Sequence, residues 1–83
     1  VKIFADAYGI DDINFIKPGI GETTRVLLRR IPWKVLINPE YQGAEELRHI
    51  LQLARDKGVH VESSAVDLGN YKVCGIIKNL ADT

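Results

Sequence analysis

A short basic stretch with two glycines contains the side chains of this sequence that are best suited to binding chemistry. It reads KPGIGETTRVLLRR, from Lys17 to Arg30. Glycines let another backbone approach closely, and the pattern after them predicts a helix whose first amide groups attract anions. Arginine adds a planar fork of donors that suits a phosphate or a base edge. The candidate contact residues are Lys17, Gly19, Gly21, Glu22, Thr23, Thr24, Arg25 and Arg29.

Three interpretations of this stretch are open. The first is a phosphate loop for a small molecule, although the glycine spacing fits neither known motif. Only one residue separates the glycines, whereas the Walker loop needs four, and Thr24 stands where the dinucleotide fingerprint needs its third glycine. The second is structural: a tight turn into a helix with a solvated arginine face, or a basic face that docks an acidic protein partner. The third is RNA binding through helix amides, threonine hydroxyls and arginines.

Charge is unevenly distributed along a chain whose formal net charge is zero. Residues 17–34 contain five basic side chains and one acidic one, so the remainder is acidic in balance. A neutral total argues against a general nucleic-acid binder. Binding follows the local field, however, and a basic patch can act within a neutral domain.

The residue inventory offers little for catalysis. The one cysteine, Cys74, lies in an apolar stretch, and the two histidines are scattered, so neither a zinc site nor a nucleophile–base pair is expected. Glu45 and Glu46 are adjacent and point about 100° apart on a helix, too far apart in direction for a catalytic pair. The sequence therefore predicts no enzyme, no metal and no cofactor. Short apolar runs predict no membrane segment, and the cysteine usage predicts a cytoplasmic setting.

The hydrophobic pattern predicts an α/β fold: a compact α/β sandwich with a mixed four- to five-stranded sheet and two main helices. The core is expected to contain Ile13, Phe15, Val26, Leu27, Val35, Leu36, Ile37, Leu47, Ile50, Leu51, Ala54, Val61, Val73 and Ile76. The predicted strands are 1–8, 13–17, 33–37, 59–63 and 71–78; the predicted helices are 22–30, capped by Gly21 or Thr23, and 44–57.

The 83 residues suit one domain, 1–83. Because the chain begins at Val1 and has no methionine, we expect that domain to be part of a longer protein. Among its aromatic residues, Tyr41 lies in the loop 38–43 and is a candidate for stacking on a base. Trp33 and Tyr71 are expected to pack against the fold.

The glycine stretch also resembles the nucleic-acid-contacting signature of the Pelota and kink-turn-binding ribosomal protein superfamily. There a glycine, any residue, asparagine, glutamate, any residue, threonine and lysine open a helix. The residues from Gly19 to Arg25 follow that spacing, with Gly21 in place of the asparagine and Arg25 in place of the lysine. The likeness extends over about residues 13 to 78 and includes WKVLI, DKGVHVE and LGNYKVCGI.

The resemblance implies an accessory RNA-binding domain. The segment is most similar to the smaller Pelota-type domain at the end of longer bacterial proteins, among them phosphoribosyltransferase-like ones. The long N-terminal helix usual in kink-turn binders is replaced here by VKIFADAY. The implied partners are a structured RNA, contacted through residues 17–30, and a catalytic domain in the same chain.

Overall fold

Two largely apolar segments of the chain form the centre of a sheet. The computed structural model describes residues 2–10 and 12–77, in which four strands pair in the order β1-β4-β2-β3. The strands are β1 (Ile16–Pro18), β2 (Lys34–Ile37), β3 (His60–Ser63) and β4 (Val73–Ile76). Strand β2 runs parallel to β3 and antiparallel to β4, and β4 is antiparallel to β1. The predicted mixed α/β sheet is confirmed.

Strand β2 is covered on both faces, as its apolar composition predicted. Val35 and Ile37 belong to one hydrophobic cluster, whereas Leu36 belongs to another on the opposite face. Successive side chains of a strand point to opposite faces, so a central strand that is covered on both faces is apolar at each buried position, and Lys34 at its start is only half-buried.

Two amphipathic helices cover the first face. These are α2 (Ile20–Arg29) and α3 (Arg48–Lys57), and α3 is preceded by the 3₁₀ turn Glu45–Leu47. Their buried residues include Leu27, Ile50 and Ala54. Gly58, in the left-handed conformation at φ 71°, ends α3 as the sequence predicted.

The opposite face is covered by a third helix, α1 (Lys2–Tyr8), where a strand was predicted over 1–8. That prediction is wrong because Phe4 and Tyr8, one helical turn apart, both pack on this face. The ring of Tyr8 meets Trp33 edge-on, with centroids 6.5 Å apart. Val1 of that segment lies outside the described residues, as does Lys78 at the end of the predicted last strand.

Two predicted core residues are at the surface. Ile13 is 66% exposed because residues Ile13–Phe15 form a 3₁₀ turn capped by Asp12, not the start of β1. Leu51 is 36% exposed because α3 turns Ile50 and Ala54 inward and leaves Leu51 at the solvent border. Phe15 and Val61 are half-buried, and the remaining predicted core residues are buried.

Within residues 2–10 and 12–77, no helix is both long enough and apolar enough to cross a membrane.

Candidate nucleic-acid interface

The turn into α2 is built on Gly19. Its φ of 94° and ψ of 160° lie in a region that is essentially reserved for glycine. Its N–H donates to the Val73 carbonyl at 2.8 Å, which ties the turn to β4, and its carbonyl accepts the Thr23 N–H at 3.0 Å. Gly19 is therefore the N-cap, and α2 begins at Ile20, two residues before the predicted start. The predicted caps, Gly21 and Thr23, lie inside the helix.

Gly21 has a different position and no comparable structural reason to be glycine. It lies in the first turn of α2, is exposed, and a Cβ added there would meet no atom within 4 Å. A glycine inside a helix destabilises it by about 0.5–1 kcal/mol relative to alanine. The fold would be as well served by alanine, so the absence of a side chain leaves the backbone of this turn open to an approaching ligand.

The start of α2 has backbone donors without partners inside the helix. An α-helix cannot satisfy its first N–H groups internally, and Thr23 makes the first hydrogen bond of this helix. The amides of Ile20, Gly21 and Glu22 precede it. No described side chain caps this end. These amides and the helix dipole together favour an anion.

The hydroxyls of Thr23 and Thr24, both predicted contact residues, lie within hydrogen-bond distance of other groups of the fold. Thr23 is fully buried, and its hydroxyl donates to the Lys17 carbonyl at 3.1 Å, which holds β1 against α2. The expectation that its hydroxyl meets RNA is corrected accordingly: Thr23 positions the turn from inside the fold. The Thr24 hydroxyl lies 3.3 Å from Nε2 of His49, on α3, and is half-buried.

Basic side chains gather along α2, from the glycine turn to the end of the helix, around an open depression of about 280 Å³, here called the basic depression. Val26 and Ile77 contribute apolar surface to it. Its charged lining residues are Lys17, Glu22, Arg25, Arg29 and Arg30. Arg30 was not among the predicted contact residues, although its place beside Arg29 at the end of the helix was the available signal. Four cations against one carboxylate leave this depression strongly positive.

The ion pairs decide which cations are available. Arg25 contacts Glu22 at 3.2 Å, but both side chains are largely exposed, and such pairs contribute little. Lys34, the fifth base of the segment, lies elsewhere. Its side chain is 15% exposed, and its ammonium contacts Glu62 at 3.0 Å and lies 4.1 Å from the Trp33 ring centroid. The positive charge of residues 17–34 is thus concentrated in the basic depression.

Tyr41, the predicted stacking residue, is half-buried against the cluster beneath α3, with the Lys72 ammonium 5.3 Å from its ring centroid. Trp33 is likewise half-buried, packed on the α1 side. Tyr71 was expected to pack against the fold, but 51% of its surface is exposed.

Cys74 is fully buried in the sheet, and burial raises the pKa of its thiol to about 12. A thiol held in this neutral form is a packing group and a poor nucleophile. Within the described part of the chain, no three histidine, cysteine or carboxylate side chains are grouped so that they could hold a metal ion.

Comparison with known proteins places this geometry in context. The family model described as PELOTA RNA binding domain matches residues 1–79. A curated relative from Acinetobacter baylyi, named cysteine protease StiP, is 42% identical over 81 residues, which are 96% of this chain. The chain spans about a fifth of that relative's length.

This relative corrects one expectation. The absence of a catalytic motif led to the prediction of no enzyme, and that prediction is wrong in view of a relative that bears the name of a protease. The prediction failed because these residues match only 20% of the relative. A residue inventory of one segment does not describe the chemistry of the protein around it.

Proposed function

The chain belongs to the PELOTA RNA binding domain family, and from that premise we propose that it contacts RNA through the glycine turn and the basic depression. The proposed contact residues are Lys17, Gly19, Gly21, Glu22, Thr24, Arg25, Arg29 and Arg30, with Thr23 supporting them from within the fold. The observation that carries this proposal is a row of four cations along α2, from Lys17 beside the glycine turn to Arg30 at the C-terminal end, next to a helix start that no described side chain caps.

The first turn of α2 and the arginines further along the helix suit successive parts of a nucleotide chain. The amides of the first turn of α2, which no described side chain caps, favour a phosphate, and Gly21 allows its backbone to come close. Arg25 and Arg29 lie one turn apart on the same side of α2, so they continue the positive surface along the helix. Glu22 contacts the Arg25 guanidinium at 3.2 Å, and an RNA phosphate can replace so exposed a pair.

The number of cations sets the expected salt dependence. If Lys17, Arg25, Arg29 and Arg30 all contact phosphates of a single strand, the slope of log K against log salt is about −2.8. A docking surface for one small phosphate ligand would give a shallower slope and would saturate with a single nucleotide.

We further propose that the domain serves a larger protein by positioning RNA near a catalytic part. The sequence resemblance pointed to a phosphoribosyltransferase-like partner, whereas the relative matched is named as a protease. In either case the domain would be an RNA-binding segment joined to a separate catalytic part, and that arrangement is proposed here, with 1–83 as one domain of the whole.

The first experiment compares Arg25→Ala with Arg55→Ala. Arg55 is an exposed cation on α3 and does not line the basic depression, so it is a charge-matched control. Both variants should unfold within about 0.5 kcal/mol of the wild type in urea, because both side chains are exposed. Arg25→Ala should weaken RNA binding by about 1–3 kcal/mol in fluorescence anisotropy if its fork reads a base edge.

Arg29→Ala completes this test. It should make the salt slope shallower by about 0.7 if Arg29 contacts a phosphate of a single strand. Equal RNA affinity of the Arg25 and Arg55 variants, or no RNA binding by the wild type at low salt, would contradict the proposal. The glycine turn would then be a turn only, with a solvated arginine face.

A further inference from the structure

A second depression, here called the apolar groove, lies on the opposite side of β1 from the basic depression. It has a volume of about 270 Å³, and its lining includes Ile13, Ile16, Pro18, Leu68 and Tyr71. Ile13 and Tyr71 are the exposed members of this set. Two large apolar side chains exposed beside one groove point to a binding surface.

Strand β1 separates the two depressions. Alternate side chains of a strand point to opposite faces, so Lys17 lines the basic depression while Ile16 and Pro18 line the apolar groove. β1 is an edge strand, paired only with β4 in the described sheet, and Pro18 fits there because an edge position needs no N–H donor. A chain lying across this edge would therefore meet positive charge on one side and apolar surface on the other.

The Tyr71 ring lies beside the glycine turn. A Cβ added to Gly19 would lie 3.5 Å from Cδ1 of the ring, which is ordinary van der Waals contact and shows how near the ring is to this turn. The aromatic ring, the apolar groove and the open helix start are thus neighbours, although Tyr71 and Gly19 are far apart in sequence.

The backbone of Tyr71 is fixed while its ring remains half exposed. Its N–H donates to the Leu68 carbonyl at 3.1 Å, and its own carbonyl accepts the Asn38 side-chain amide at 2.9 Å. Asn38 is buried, and its side-chain oxygen accepts the Glu40 N–H at 3.0 Å. An aromatic side chain held this way offers a flat surface at a small entropic cost of ordering.

From this juxtaposition we propose that the apolar groove takes an unpaired RNA base, stacked on Tyr71, while the adjoining backbone crosses β1 to the basic depression. The inference rests on the proposed RNA-binding function and deepens it. Base–aromatic stacking tolerates any base, and every base offers the same flat face to the ring. The RNA this domain selects would then be one with a single-stranded or looped-out residue, not a continuous duplex.

The charge of the groove supports a base over a phosphate as its occupant. Asp67 is its charged lining residue among those described, and its carboxylate accepts the Gly69 N–H at 2.8 Å. A carboxylate at the edge of an apolar groove repels a phosphate. It can accept a hydrogen bond from the amino group of a base. A hydrophobic side chain of a partner protein is the competing occupant, and the experiment below separates the two.

The test measures binding of a labelled RNA hairpin with a single-stranded loop, and of a fully paired duplex of the same length. Tyr71→Ala should weaken hairpin binding by about 5- to 150-fold, the range expected for loss of one stacked base. It should leave duplex binding and the salt slope unchanged, since no phosphate contact is lost. Tyr71→Phe should bind as the wild type does. Tyr71→Leu, which keeps an apolar side chain without the flat ring, should lose most of the affinity.

Hairpins that carry one abasic site, placed at each loop position in turn, complete a double-mutant cycle with Tyr71→Ala. One abasic position should weaken wild-type binding by the same factor as Tyr71→Ala and should weaken that variant no further. Thermal unfolding of each variant shows whether it is folded, and Tyr71→Leu carries the test if Tyr71→Ala is not.

Two failures are distinguishable. If the wild type binds neither RNA at low salt, the proposed function itself is wrong. If the wild type binds and Arg25→Ala weakens it, but both Tyr71→Ala and Tyr71→Leu bind the hairpin normally, RNA binding stands and the stacking site does not. An equal loss on hairpin and duplex would also overturn the stacking site.

Discussion

Alkylation of Cys74 tests the packing of the sheet and the place of this segment in a protein with a protease-like relative. The thiol is buried, and desolvation raises its pKa from the ordinary value of 9.0 to about 12. Only the thiolate reacts, so three pKa units reduce the reactive fraction about 1,000-fold at pH 8. Steric burial slows the reaction further. Native Cys74 should react through transient opening of the fold.

The assay follows iodoacetamide labelling at pH 8 by mass spectrometry, for the folded chain and for the chain unfolded in urea. We expect the folded chain to react at least about 1,000-fold more slowly than the unfolded one. Cys74→Ala, which has no other thiol in these 83 residues, gives the background. A mild urea concentration should accelerate labelling in parallel with the unfolded population.

A folded-state rate within about tenfold of the unfolded rate would refute the reasoning, because it would require an accessible or ionised thiol. The expected result would exclude Cys74 as the nucleophile of a cysteine protease. If the whole protein has such an activity, its nucleophile would have to lie outside this segment.

Two further predictions concern the glycine turn and an ion pair. Gly19→Ala should destabilise the fold by about 1–3 kcal/mol in urea unfolding, because φ is 94°. Gly21→Ala should stabilise it by up to about 1 kcal/mol and weaken RNA binding; unchanged binding would show that the open turn is not used. The hydrogen bond from Lys34 lowers the pKa of Glu62 below its ordinary 4.5. The stabilisation is therefore present above pH 4.5 and is lost as the pH falls through the lower folded-state value. Lys34→Met should reduce this loss of stability at acid pH by less than about 1 kcal/mol, because the carboxylate is partly exposed. An unchanged dependence of the unfolding free energy on pH would contradict the role given to Lys34.

The parts of the fold that were predictable are those in which local pattern and final environment agree. β2 is apolar at its three buried positions, Val35, Leu36 and Ile37, and the sheet is covered on both faces there. The apolar stripe of α3 predicts the helix, and Gly58 ends it. β3 begins two residues after that glycine, so the same signal also predicts the start of the strand.

The parts that were not predictable depend on neighbours distant in sequence. Residues 1–8 are apolar enough for either a strand or a helix, and seven helical residues are too few for periodicity to decide. Packing of Phe4 and Tyr8 against the sheet selects the helix. The exposure of Ile13 follows from a 3₁₀ turn capped by one side chain, which leaves no periodic signal.

The candidate site divides in the same way. Lys17, Arg25 and Arg29 were predictable because charge and spacing are local properties. The burial of Thr23 was not, because it follows from the contact of α2 with β1 and β4. Tyr71 reaches the glycine turn through the strand order and through its anchoring by Asn38, neither of which a single sequence reveals.

The place of β4 in the sheet has a consequence for synthesis. β4 comes last of the four strands in sequence, yet it lies between β1 and β2 and bonds to both. While the ribosome has released residues only as far as β3, β1 has no neighbour to pair with, and Gly19 lacks the Val73 carbonyl that anchors its turn. The glycine turn and the Tyr71 ring therefore come together only after β4 has emerged. A nascent or truncated chain that stops before residue 73 would lack a formed RNA surface, so binding competence would mark a completed domain.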